Sequence, residues 1–182
     1  MFERLSIPDV FLFTPKRHGD ARGYFAETFS RATLSPMTGP LDWVQDNFAL
    51  SAEQGVLRGL HFQKPPHAQD KLVRCGRGAI LDVVVDLRRA SPHYGKYVKA
   101  VLSNENGVQI FVPKGFAHGY VTLTPACEVL YKVTAAYHPG SEGGLMWNDK
   151  TLAIDWELAG AAPILSERDG AWAPFADLPD YF

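Results

Sequence analysis

The sequence predicts an all-β chain, a small sandwich or jelly-roll barrel with short peripheral helices, and three observations carry that expectation. Sixteen glycines and thirteen prolines break the 182 residues at short intervals. The segments between them are rich in Val, Ile, Leu, Phe and Tyr. Within those segments apolar and polar side chains alternate with period two, the pattern of strands with one covered face. No repeat, low-complexity tract or linker interrupts the pattern, and the length suits one domain, residues 1–182, with a full core.

In chain order the expected strands begin with Asp9–Phe13 and Gly23–Phe29. Ser30–Pro36 then reads as a short helix. Trp43–Ser51, Val56–Phe62 and Lys71–Cys75 follow, and Ala79–Leu87 is the most apolar strand, broken only by Asp82 and Asp86 on one face. Such carboxylates need partners if buried, and Asp82 is expected to pair with Lys71 or another inward base. Tyr97–Ser103, Gln109–Val112, Gly119–Leu123, Cys127–Ala135 and Leu152–Trp156 complete the strands, and the C-terminal region reads as helical. In a regular strand from Cys127 onward, Tyr131 and Tyr137 share a face.

Composition excludes several functions. Eighteen Lys and Arg against twenty Asp and Glu give a net charge of -2, with no basic run to gather a polyanion, so nucleic acid is not an expected partner. The best apolar run, Ala79–Val85, is too short for a membrane span and contains Asp82. Glu3, Arg4, Pro8 and Asp9 stand where a secretion signal would need a basic and then an unbroken apolar stretch, so a cytoplasmic location is expected. Cys75 and Cys127, the only cysteines, form no CxxC and read as core residues. His18, His67, His93 and His138 lie in Pro- or Gly-rich stretches and read as loop residues.

The chemically informative stretch is Gly55–Lys71, GVLRGLHFQKPPHAQDK. Arg58, His61 and Lys71 fall within or beside strands that otherwise favour apolar side chains, where a charge is costly unless paired or used. Gln45, Asp46 and Asn47 add polar groups on the preceding strand. His61 and Lys71 can face one cavity, but Arg58, three residues from His61, points away from it in a regular strand. A bulge or bend near Gly59 is therefore expected if both reach one ligand. A second cluster, Gly107-x5-Pro113-x-Gly115-x2-His118, matches much of the second cupin motif, with Thr122 where that motif usually has Asn. The first cupin motif needs His-x-His followed by Glu, and here the chain reads His61-Phe62-Gln63. Two histidines fall short of the three or four protein ligands of a typical transition-metal site, so a metal-free cupin-type double-stranded β-helix with no cofactor is expected.

From about Phe11 to Asp169 the chain resembles the dTDP-4-dehydrorhamnose 3,5-epimerase family. The motifs are Asp20-Ala-Arg-Gly-Tyr-Phe-Ala-Glu27, Val44-Gln-Asp-Asn47, Gly55-Val-Leu-Arg-Gly-Leu-His-Phe-Gln63, Lys71-Leu-Val-Arg74, Pro113-Lys-Gly-Phe-Ala-His-Gly119, Leu130-Tyr-Lys132, Trp147-Asn-Asp149 and Leu165-Ser-Glu-Arg-Asp169. Their joint order is more specific than any one of them. The resemblance implies a jelly roll that inverts C3 and C5 of dTDP-4-dehydro-6-deoxy-D-glucose before a final reduction, as a homodimer with strand exchange and without a metal. It implies His61 as base, Asp169 as the carboxylate that orients it, Lys71 as the cation near O4 and Tyr131 as the acid on the opposite face. It further implies that Arg22, Glu27, Gln45, Asp46, Asn47, Arg58, His118, Glu142 and Arg168 contact the nucleotide sugar and that Tyr137 stacks on thymine. Some relatives carry Lys in place of Arg168, which keeps the charge but not the forked donor geometry.

The chemistry suits these residue types. The C4 ketone acidifies the hydrogens at C3 and C5, so inversion needs a base, an opposed acid and a cation near the developing enolate. Three rivals are a C3-only epimerase of a dTDP-4-keto-deoxysugar, a non-catalytic sugar-nucleotide-binding cupin and a metal-dependent cupin oxygenase. The second predicts loss of base or orienter, yet both His61 and Asp169 are present. The third lacks its ligand set.

Overall fold

A computed structural model describes residues 1–182. Its strands are β1 (Phe2–Arg4), β2 (Phe11–Phe13), β3 (Arg17–Asp20), β4 (Gly23–Ala26), β5 (Gln45–Ser51), β6 (Leu57–Gln63), β7 (Lys71–Arg77), β8 (Ala79–Asp86), β9 (Tyr97–Ser103), β10 (Gln109–Val112), β11 (Phe116–Thr122), β12 (Cys127–Val133) and β13 (Glu142–Gly144). The one α-helix, α1, spans Arg31–Thr38. A six-stranded sheet in the order β1-β2-β10-β7-β12-β5 faces a five-stranded sheet in the order β13-β6-β11-β8-β9, and β3 pairs with β4 as a separate hairpin. The fold is the expected cupin-type jelly roll.

Alternation assigns each strand's side chains to a layer. In β8, Ile80 and Val84 enter the core between the sheets, whereas Leu81, Val83 and Val85 enter a second core on the outer face of the five-stranded sheet. Burial on both faces explains why β8 reads as a nearly continuous apolar run. The C-terminal segment covers that outer face with Leu145, Leu152, Trp156 and Phe175. A smaller aromatic cluster on the six-stranded sheet joins Phe11, Phe13 and Phe111 to Leu34 of α1. Cys75 and Cys127 are buried and unpaired, as expected.

The elements depart from expectation where local pattern is weakest. Leu152–Trp156 is not a strand: Asp149 Oδ1 accepts hydrogen bonds from the backbone N–H groups of Thr151 and Leu152, and Ala153 sits at φ +47°. Its apolar alternation is instead used by Leu152 and Trp156 to pack on the sheet. The C-terminal region contains a single 3-10 turn, Phe175–Asp177, because its hydrophobics are anchors on the barrel wall rather than a helical stripe. Strands β1, β3 and β13, of three or four residues, escape period-two reading, and His18 lies in β3 rather than in a loop. Strand β12 ends at Val133, so Tyr137 lies beyond it.

The bend expected at Gly59 is present. His118 pairs with His61 and Tyr120 with Arg58, so two steps along β11 match three along β6. Gly59 takes φ +138°, and a Cβ there would lie 2.6 Å from the Gly119 Cα, an approach that only glycine permits. The extra residue turns Arg58 and His61 to the same side.

Candidate active site

Between the sheets lies a cleft of about 370 Å³. The five-stranded sheet supplies Arg58 and His61 from β6, His118 and Tyr120 from β11, and Glu142 from β13. The facing sheet supplies Lys71 from β7 and Tyr131 from β12. Tyr137, Arg168 and Asp169 close the rim from segments outside the strands. His61 and the Lys71–Tyr131 pair thus stand on opposite walls.

His61 Nε2 hydrogen-bonds Asp169 Oδ1. A carboxylate accepts, so Nε2 carries the proton and Nδ1 is left as the basic nitrogen. Burial works against the Asp169 charge, but the hydrogen bond and field of His61, aided by Ser166 and Trp172, hold its carboxyl below the ordinary value. Trp172 presents its ring edge to His61 at a centroid distance of 6.2 Å and lies over Gly144, where a Cβ would approach its ring to 2.3 Å. Gly144 is the register partner of His61, so the absence of a side chain on β13 makes room for the wall behind the base.

Lys71 is desolvated, which lowers its pKa to about 8, with Asp82 and Glu142 acting in the opposite sense. Burial raises the Tyr131 phenol above its usual range, while Arg58 opposes that shift. Asp82 pairs with His118 at 2.8 Å, and burial nonetheless pushes its carboxyl up. The expectation of an inward base for Asp82 therefore resolves to His118, with Lys71 close enough to act through its field. Asp86 instead holds Arg88 and Ser91.

Nearer the mouth, Arg58 donates through Nε to Ser51 Oγ at 3.2 Å and through Nη2 to the Leu50 carbonyl. Glu142 accepts from Arg168 at 2.7 Å and from the Tyr137 hydroxyl at 3.1 Å. The Tyr137 backbone N–H donates to Gln45 Oε1, which ties β5 to the rim.

Five of the expected contact residues do not line this cleft within one chain, among them Gln45, whose side chain is held by Asn47 and the Tyr137 N–H. Strand alternation turns Asp46 to the outer face of the six-stranded sheet, where it pairs with Lys132. Asn47 and Glu27, with Asp46, line a separate cavity of about 540 Å³. Arg22 is 89% exposed at the tip of the β3–β4 hairpin, bonded to Asp20. Conversely, sequence reasoning missed Gln63, Gln69, Tyr120 and Ser166, all of which line the cleft. Gln63 braces the rim by donating to the His67 and Ala136 carbonyls and accepting from the His138 N–H. Its placement inside the His61-Phe62-Gln63 motif was a usable signal.

The family model described as dTDP-4-dehydrorhamnose 3,5-epimerase matches residues 4–177. The chain belongs to the dTDP-4-dehydrorhamnose 3,5-epimerase family. A relative of that name from Sinorhizobium fredii is 48% identical over 181 residues, covering 100% of this chain and 92% of its own. The fold matches the family's epimerase from Legionella pneumophila, solved in complex with dTDP-4-keto-L-rhamnose, at TM-score 0.94 and 40% identity, over 98% of this chain and 94% of that one. It is also similar to a 3'-monoepimerase from Streptomyces bikiniensis in complex with dTDP-quinovose, at TM-score 0.89 and 32% identity, over 95% and 87% of the two chains. An epimerase is an isomerase, and no helix of this one is long and apolar enough to cross a membrane.

Proposed function

We propose that this family member inverts C3 and C5 of dTDP-4-dehydro-6-deoxy-D-glucose to give dTDP-4-dehydro-L-rhamnose, with His61, Asp169, Lys71 and Tyr131 as the working residues. The observation that carries the reading is the opposition across one cleft of an oriented histidine on one sheet and a tyrosine beside a desolvated lysine on the other. His61 Nδ1 takes the proton from the carbon beside the ketone, and the electron pair moves into the enolate whose oxygen faces the Lys71 ammonium. Tyr131 then gives its proton to the same carbon from the other side. Each inversion therefore moves one proton onto His61 and one off Tyr131, and exchange with solvent resets both before the second carbon reacts.

The nucleotide is read by the cations around the mouth. Arg58 and Arg168 suit the diphosphate because a guanidinium can fork onto two phosphate oxygens, and His118 adds a polar contact deeper in the cleft. Exposed Tyr137 offers a face for thymine. The proposed reaction is metal-independent and cofactor-free, because the base, the acid and the cation it needs are supplied by His61, Tyr131 and Lys71. Free buried cysteines and a nucleotide-sugar substrate fit a cytoplasmic setting.

The working unit is a homodimer of single-domain chains spanning 1–182. Strand β5 is the last of its sheet, and Val44, Phe48 and Leu50 on and beside it are exposed, as are Tyr24 and Phe25 on the β3–β4 hairpin. A second copy seated on this apolar surface would cover an open sheet edge. It would also let Arg22 and Glu27 reach the partner's site, together with the Gln45–Asn47 strand, which explains their absence from their own cleft.

The deciding experiment is proton NMR of dTDP-4-dehydro-6-deoxy-D-glucose with the protein in D2O, with a rhamnose-forming reductase as trap. Deuterium entry and inversion at both carbons is the expected result. Change at C3 alone would make the protein a monoepimerase, and binding without exchange would make it a non-catalytic module.

A further inference from the structure

Tyr120 is a residue the reaction scheme above leaves unused, and its surroundings are unusual for a core tyrosine. Its side chain points between the sheets beside Val84 and Val129, and it is only 5% exposed. Its hydroxyl is fully buried yet has no hydrogen-bond partner in the protein. A phenol at an apolar position is normally there for its ring, and a buried hydroxyl that finds no partner costs free energy that phenylalanine would avoid. The ring requirement alone therefore does not account for the oxygen.

The position gives the oxygen a use. Tyr120 lines the same cleft as His61, Lys71 and Tyr131. In register it is flanked by Arg58 on β6 and Asp82 on β8, one bulged step along the strand from the His118–His61 pair. It thus lies between the proton-transferring residues and the arginine that faces the diphosphate. Of the nearby polar groups, Ser51 Oγ already accepts from Arg58 and Asp82 Oδ2 engages His118, while Asp82 Oδ1 is, like the Tyr120 hydroxyl, buried without a partner.

We propose that Tyr120 is a substrate-positioning residue whose hydroxyl hydrogen-bonds an oxygen of the hexose, anchoring the sugar ring between the diphosphate and the opposed His61 and Tyr131. The proposal rests on the reading of this cleft as the sugar-nucleotide site. Burial pushes the Tyr120 phenol up to about 12, so the hydroxyl stays protonated and able to donate throughout the working pH range.

The test compares Tyr120→Phe with the wild type in binding of two probes, dTDP and dTDP-glucose, which carries the hexose but no ketone and so cannot turn over. The expected result is a loss of about 3- to 10-fold in affinity for dTDP-glucose, the equivalent of one hydrogen bond, with dTDP affinity unaltered and a melting temperature no lower than that of the wild type. Equal weakening of both probes would place the hydroxyl on the phosphates and overturn the assignment. Unchanged binding of both would leave the hydroxyl without a ligand role and overturn it as well, as would a lowered melting temperature with an unchanged ratio of the two affinities. Failure of wild-type protein to bind dTDP-glucose at all would instead overturn the underlying reading of the cleft.

Discussion

With Nε2 held by Asp169, the basic nitrogen of His61 is chosen by a hydrogen bond rather than by substrate. His61→Ala should therefore lower deuterium exchange at both C3 and C5 by at least about 10²-fold while leaving dTDP affinity within about twofold, measured by NMR and calorimetry. Tyr131→Phe removes only the opposed acid. It should retain His61-dependent deuterium exchange while productive inversion at both C3 and C5 falls by about 10²-fold, and equal retention of turnover in both variants would refute the division of labour. Lys71 gives a pH signature: with a pKa of about 8, the ammonium is lost as pH rises through that value, so kcat/KM should fall about tenfold per unit above it. The sign for stability is reversed. A lysine whose pKa is lowered on folding destabilises the fold while charged, and that penalty is relieved between pH 8 and the unfolded value of 10.5. The catalytic residue types were legible because motif order and enolate chemistry both called for them. Tyr120 and Trp172 were not, since an aromatic at an inward strand position looks the same whether or not its polar atom finds a partner.

Among the elements, β6 matters most, because one inserted residue decides which side chains share the cleft. Gly59→Ala would force a Cβ to within 2.6 Å of Gly119 at φ +138°. The expected cost is about 2 kcal/mol or more, read as a lower denaturation midpoint, with Arg58 and His61 no longer turned to one side. This irregularity could be inferred beforehand, because a three-residue separation between two inward groups contradicts the strand period. Strand β3, the other arm of the hairpin with β4, and the short β13 could not: three or four residues contain too little alternation to register, and they pair through tertiary contact rather than local preference. The run Leu152–Trp156 misled for the opposite reason, since a strand-like pattern also serves side chains that reach down from turns onto a sheet.

For the whole molecule, the proposed dimer makes activity depend on a surface remote from His61. The double substitution Phe48→Asp with Leu50→Asp should give monomers by size-exclusion chromatography with light scattering, and kcat/KM should fall at least about tenfold as the partner's Arg22 and Glu27 are withdrawn. A dimer of unaltered mass would contradict the placement of the interface. The architecture was legible as a whole because Gly and Pro punctuation and period-two segments run the length of the chain. The location of Arg22, Glu27 and Asp46 outside their own cleft was not, because a motif says which residues meet the ligand and not which copy supplies them. A last consequence concerns the order in which the chain is made. All thirteen strands are complete by Gly144, but the carboxylate that orients His61 belongs to the segment beyond it. A ribosome therefore releases all thirteen strands, with His61 and Arg58, before it releases Arg168 and Asp169, and the nascent chain carries its base before the carboxylate that orients it.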